Sequence, residues 1–306
     1  MKSSDNPPVG ALTSAWANGQ MIFATSEIAG RVFYVDSNTD GTAGTSWSTA
    51  VGTIDEAVNL CTASAGDVIF VHPSHAESLA ADSAIDIDKA GVTVIGLRQG
   101  RLMPTLTATA IAGDCKLAAA GVTIKNLRFL GGVDATTGCI EVSAADCAII
   151  DCEYRDSVDQ ATDVIITTAA ADRLLIDGFT CFGAAAAGAN SAIALVGLDD
   201  CEIKNCYIYG NFAVGAIDCR TTEVVRVNIH DCKIWTENAA DIAIVDTKTA
   251  STGWIGPNIS IMLKENAANI TNAVTGATFQ MVDPVYIVNL AGEKAMLSNW
   301  TASTHV

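Results

Sequence analysis

Four clusters of residues in this chain have the types and spacing for chemistry. Asp36-Ser-Asn38-Thr-Asp40-Gly41 sets oxygen ligands at alternate positions, as the first half of a calcium loop does. A full loop needs a bidentate Glu at its twelfth position, and Trp47 stands there. The stretch therefore reads as an Asx-rich turn, with calcium as the one ion it could attract. Asp156, Asp159 and Asp163 share the loop 156–163 and offer carboxylates to calcium or to a sugar. An acidic, solvated loop is the simpler reading. His72-Pro-Ser-His75 with Glu77 has metal-ligand types, yet no third His lies nearby, so it reads as a loop where the first coil turns. Asp199-Asp200 is an adjacent acidic pair, but successive residues point different ways and need not converge on one glycosidic bond. No nucleophile elbow, P-loop or dinucleotide fingerprint is present. We assign no catalytic residue, no cofactor and no metal centre from sequence.

These residues are positioned by a phrase that repeats six times at intervals of 25 to 30 residues. It runs apolar, any, apolar, any, then Gly, Asn or Asp, then apolar, any, apolar. The copies start at Val92, Val122, Cys147, Leu174, Cys201 and Val227. The alternation has the period of a short strand with one buried face. The residue after it forms a turn ladder of Gly96, Asn126, Asp151, Gly178, Asn205 and Asp231. Those types tolerate the left-handed conformation, so each copy is expected to bend there. A second short strand precedes many copies, as in Cys115-Lys-Leu117 and Ala192-Ile-Ala-Leu-Val196. Short strands at this period with no helix between them predict an all-β fold, a parallel β-helix solenoid of about 7–8 coils. Equivalent side chains then stack: Val94, Ile124, Ile149, Ile176, Ile203 and Ile229 inward, and Ile95, Lys125, Ile150, Asp177, Lys204 and His230 outward. Outward stacking predicts two ion pairs, Arg128–Glu153 and Asp177–Lys204.

Open coils leave strand edges that must be covered. Thr53-Ile-Asp-Glu56 matches a capping box, and Ile54, Ala57, Val58 and Cys61 give an apolar stripe, so an N-terminal capping helix is expected. We divide the chain into an N-terminal arm or attachment segment (1–30), a lead-in strand and helix (31–65), the β-helix (66–266) and a C-terminal cap or assembly segment (267–306).

Net charge is −17, from 34 acidic and 17 basic residues, which argues against a nucleic-acid partner. No apolar run is long enough to span a membrane, and Met1 to Pro8 lacks the apolar region of a secretory signal. The expected setting is synthesis in a cytoplasm without membrane insertion. Of the ten cysteines, six occupy apolar slots of the phrase, where a reduced thiol packs as a small hydrophobe.

Tyr34-Val-Asp-Ser-Asn-Thr-Asp-Gly41, Trp47-Ser-Thr-Ala50, Thr53-Ile-Asp-Glu-Ala57, Gly66-Asp-Val-Ile-Phe-Val71 and Pro73 resemble the opening motif of β-helix proteins of the pectate-lyase-like superfamily. Joined to Ala90-Gly-Val-Thr-Val-Ile-Gly-Leu-Arg-Gln-Gly-Arg101 and Pro104-Thr105, they resemble β-helix proteins of tailed bacteriophages. The specific motifs cover about 31–130, and the repeat alone continues to 235. The resemblance implies a right-handed helix, a virion-surface location, capsid or tail proteins as partners and a homotrimer. Enzymes of the superfamily cleave polysaccharides. The His-Gly and Arg-x-Lys elements that accompany an Asp pair in its hydrolases are missing here. The expectation is a non-enzymatic structural protein, with a polysaccharide lyase or hydrolase, or a host-glycan-binding module, as the alternatives.

Overall fold

The computed structural model describes residues 15–17, 20–23, 30–156, 161–184, 188–219, 221–237, 242–263, 274–275, 279–282, 285–289 and 294–297. The period-2 alternation of the repeated phrase is realised as a parallel β-solenoid with three sheets. The first sheet has ten strands, from Val32–Val35 and Val68–Val71 through Thr93–Gly96, Thr123–Lys125, Ala148–Ile150, Leu175–Asp177, Glu202–Lys204 and Val227–His230 to Gly253–Ile255 and Gln280–Met281. The second also has ten, from Ala76–Leu79 to Val285–Asn289 and Lys294–Leu297. The third has eight, from Ile85–Ile87 to Val274–Thr275. Each coil gives one strand to each sheet in turn, so eight coils are complete among the described residues. The stack pairs in parallel past residue 266, to Asn289. Lys294–Leu297 then folds back antiparallel on Val285–Asn289 and covers that strand's edge.

In-register pairing turns the predicted inward column into a continuous core. Val94, Ile124, Ile149, Ile176, Ile203 and Ile229 are neighbours strand by strand, and all are 0% exposed. A second column, Leu106, Phe129, Tyr154, Cys181, Ile208, Ile234, Ile261 and Ile287, lines the second sheet from inside. Burying one such side chain is worth about 1.5–3 kcal/mol.

All ten cysteines are free and buried. Burial pushes the Cys139 and Cys152 thiols up to about 12. A thiol reagent is therefore expected to label none of them in the folded chain and all ten after denaturation. Rapid labelling of several native thiols would contradict this packing.

The turn ladder shows one correction. Asn126, Asp151, Gly178, Asn205 and Asp231 are left-handed (φ 51–72°), but Gly96 is not, and Arg98 turns there instead (φ 77°). Gly96 is needed for closeness: a Cβ on it would lie 2.0 Å from the Asn126 carbonyl oxygen of the next coil. The phrase also concealed a second left-handed ladder one residue before each copy. It comprises Gly91, Gly121, Asp146, Arg173, Asp200 and Arg226 (φ 59–73°), and marks the corner between the third and first sheets.

The helix Ile54–Leu60 carries the expected capping box. Glu56 N–H donates to Thr53 Oγ1 at 3.2 Å, and Thr53 N–H donates to Glu56 Oε2 at 3.1 Å. Ile54, Ala57 and Val58 face the core. Glu77 Oε2 accepts from Ile54 N–H at 3.1 Å, and Asp55 Oδ1 accepts from Asp86 N–H at 3.3 Å, joining the helix to the first strands of the second and third sheets. Among the described residues no helix is long and apolar enough to cross a membrane.

Candidate functional site

The outer face of the first sheet carries the predicted column in register: Ile95, Lys125, Ile150, Asp177, Lys204, His230. Its most connected group is His230. Nδ1 lies 2.6 Å from Asp231 Oδ2, and Nε2 lies 3.1 Å from Glu202 Oε1 on the preceding coil. Burial alone would lower this imidazole's pKa. The hydrogen bonds and charges of Asp231 and Glu202 outweigh it and leave the pKa above its ordinary value. The expected Asp177–Lys204 pair is not formed. Lys204 Nζ reaches Glu202 Oε2 on its own strand at 3.0 Å, and Asp177 Oδ1 accepts from Asn205 Nδ2 at 2.7 Å. Residues two apart on a strand share a face, and the long lysine chain took the nearer carboxylate.

On the second sheet the expected Arg128–Glu153 pair is present at 2.7 Å, and Arg155 Nε donates to the same Glu153 oxygen at 2.6 Å. The Arg155 guanidinium also lies over the Phe182 ring, 4.4 Å from its centroid. Outward aromatics pack on one another, Phe182 with Tyr207 at 5.7 Å and Tyr209 with Trp235 at 6.0 Å.

The corner ladder alternates in charge. Arg173 makes a two-pronged pair with Asp146 (2.6 and 2.8 Å), and Arg226 does the same with Asp200 (2.6 and 2.8 Å). Arg226 also reaches Asp199 Oδ2 at 3.3 Å. The Asp199-Asp200 pair is thus the arginine partner of the next coil. This use of arginine was legible as the 25–30 residue spacing of Asp146, Arg173, Asp200 and Arg226.

Of the remaining sequence candidates, the Asx turn at 36–40 and the loop at 72–77 lie against each other, with His72 Nδ1 3.6 Å from Asp36 Oδ2. Asp36 Oδ1 accepts from Asn38 N–H at 3.0 Å and from Asn38 Nδ2 at 2.8 Å, closing an Asx turn, while Asp40 is exposed. Burial would raise Asp36, but the Asn38 bonds and the nearby His72 and His75 hold it below the usual carboxylate range. His75 is buried, with Nδ1 accepting from Ser37 N–H at 3.0 Å and Nε2 facing Glu77 Oε2 at 2.9 Å, so both ring nitrogens are engaged. Asp156 turns inward, where its oxygens accept from Tyr154 OH at 2.5 Å and Ala184 N–H at 2.6 Å; burial raises its pKa. Asp163 accepts from Ser191 Oγ, and Asp159 lies outside the described residues.

Sequence reasoning missed an acidic cleft on the third sheet. Asp82, Asp114 and Glu141 place carboxylate oxygens within 4.8 Å of one another. They line a cavity of about 220 Å³ together with Thr137, Gly138, Thr167 and Thr168. Asp114 is 5% exposed, and its Oδ1 accepts from Ser83 N–H at 2.5 Å. Glu141 is paired with Lys116 at 2.8 Å. Burial, reinforced by the charges of Glu141 and Asp82, raises Asp114 to about 6 despite the Ser83 bond. Oxygen ligands of this kind suit a hard cation or a shared proton. The available signal was the coil-length spacing of 82, 114 and 141, but the three lie outside the repeated phrase.

A carboxyl raised in the fold is stabilising when protonated, and that contribution is lost as pH climbs through about 6. Asp114→Asn is therefore expected to stabilise the chain above pH 7, by on the order of 1 kcal/mol or roughly 2–4 °C after screening. The gain should vanish near pH 4. Thermal scans at both pH values check this, and a loss of stability at high pH would contradict it.

No family model matches the chain, and no curated protein matches it. Among solved structures, a rhamnogalacturonan lyase is similar over 89% of this chain and 85% of its own, with 11% identity and a TM-score of 0.49. A protein described as Geobacillus virus E2 ORF18 is similar over 77% of this chain and 57% of its own, with 12% identity and a TM-score of 0.38.

Proposed function

We propose that this chain is a non-enzymatic structural protein of a tailed-phage virion, a rigid β-helix displayed on the capsid or tail surface. The observation that supports this most is the use of outward charge. Arg128–Glu153, Asp146–Arg173, Asp200–Arg226, Glu202–His230 and Lys116–Glu141 each join one coil to the next. Single surface pairs add little, but a series in register resists bending and shear between coils. Ionic groups engaged in this way hold coil to coil along the rod. The resemblance of the opening motif at 31–130 to tailed-phage β-helix proteins supports a phage setting, and this reading takes capsid or tail proteins as partners and a homotrimer as the assembled state. Net charge of −17 disfavours nucleic acid.

Polysaccharide cleavage is a second reading, favoured by the acidic cleft alone. There a carboxyl protonated near pH 6 sits beside two carboxylates, a combination that acid–base catalysis uses. Purified full-length chain should release neither reducing ends nor unsaturated products from acidic or neutral polysaccharides. Turnover that Glu141→Gln abolishes would replace the structural reading with the enzymatic one.

A further inference from the structure

His230 lies between two carboxylates that belong to different coils. Nε2 faces Glu202 Oε1 at 3.1 Å, and Nδ1 faces Asp231 Oδ2 at 2.6 Å. Ionised carboxylates only accept hydrogen bonds, so both ring nitrogens must donate, and only the imidazolium can do that. The contacts continue at both ends. Glu202 Oε2 accepts from Lys204 Nζ at 3.0 Å, and Asp231 Oδ1 accepts from Asn258 Nδ2 at 2.8 Å. Asp231 N–H also donates to the Pro257 carbonyl at 2.9 Å. The series therefore crosses three successive coils, those of Glu202–Lys204, Val227–His230 and Gly253–Ile255.

The geometry points to His230 as a proton-operated clasp that holds the coil 253–263 to the body of the rod. The charged groups facing the ring are Glu202 and Lys204 from the preceding coil and Asp231 from its own turn. The following coil presents Asn258 and Pro257, which do not titrate. Lys204 stacks on His230 in register but donates to Glu202, so it leaves the ring's bonds intact. A neutral ring keeps one N–H and one lone pair, and that lone pair must face a carboxylate. One of the two ties, to Glu202 or to Asp231, then turns repulsive, and the series that joins the three coils is broken at that point.

His230 has a pKa raised in the fold, so its contribution is complete below the unfolded value of about 6.5. It is lost as pH rises through the higher folded value. The clasp is closed below about pH 6.5 and opens as pH rises through that higher folded value.

The test is amide hydrogen exchange of the full-length chain from about pH 6 to about pH 9, corrected for intrinsic rates, in wild type and His230→Gln. Protection of 253–263 relative to Thr123–Lys125 should fall in wild type by about tenfold for each unit of pKa elevation. His230→Gln should be less protected at low pH and show no such fall. Identical pH profiles for the two proteins would overturn the clasp. As a check independent of the variant, the imidazole C2 proton of His230 is titrated by NMR in wild type. A midpoint above about 6.5 supports the clasp, and one at or below it overturns the proposal.

Discussion

Ile203→Asp is expected to unfold the chain under conditions where Ile203→Val remains native. Ile203 is 0% exposed and stacks in register between Ile176 and Ile229. Aspartate there must either bury a charge or take up a proton, and no polar partner is set in the column to receive it. The cost is on the order of 5 kcal/mol or more, comparable to the whole stability of an ordinary domain. Ile203→Val removes one methyl group and should cost about 0.5–1.5 kcal/mol. In a stacked array each coil is stabilised by its neighbours, so the aspartate uncouples both sides at once. Chemical denaturation followed by circular dichroism checks both variants. A cooperative, native-like transition for Ile203→Asp would contradict the continuous core.

The second large effect separates two positions of one ladder. Gly96→Ala would place a Cβ 2.0 Å from the Asn126 carbonyl oxygen and 2.9 Å from Pro104 Cδ. Retreat is blocked on both sides, because Leu97 N–H donates to the Val71 carbonyl at 2.9 Å and Asn126 N–H donates to the Ile150 carbonyl at 3.1 Å. The expected loss is about 3 kcal/mol, at the upper end for overpacking. Asn126→Gly should instead stay within about 1 kcal/mol of wild type. It releases a left-handed non-glycine residue (φ 53°) and removes a buried amide oxygen that has no hydrogen-bond partner. Equal losses at the two positions would show that the ladder serves one conformational purpose throughout, contrary to this structure.

Much of the fold was legible because the repeated phrase contains both the buried column and the corner. Val94 through Ile229 could be aligned by counting, and counting also placed Lys125, Asp177, Lys204 and His230 on one outer column. What counting could not give is which neighbour a long side chain selects. Arg128 reached across coils to Glu153, whereas Lys204 bonded along its own strand to Glu202. Gly96 misled for a related reason. Its residue type fits either a left-handed turn or a close approach, and only the position of the next coil decides between them. The acidic cleft was illegible because Asp82 and Asp114 precede strands of the third sheet in loops of differing length. Their convergence with Glu141 depends on how those loops close.

The central claim is that this rod is a structural part of a phage particle. Electron cryomicroscopy of phage particles purified from the source that encodes this chain tests it most directly. The first sheet's ten strands give nine spacings of about 4.8 Å, so each rod should show a stack about 43 Å long. Ordered copies of that stack are expected on the capsid or tail, attached through one end. Particles that lack the chain would contradict it.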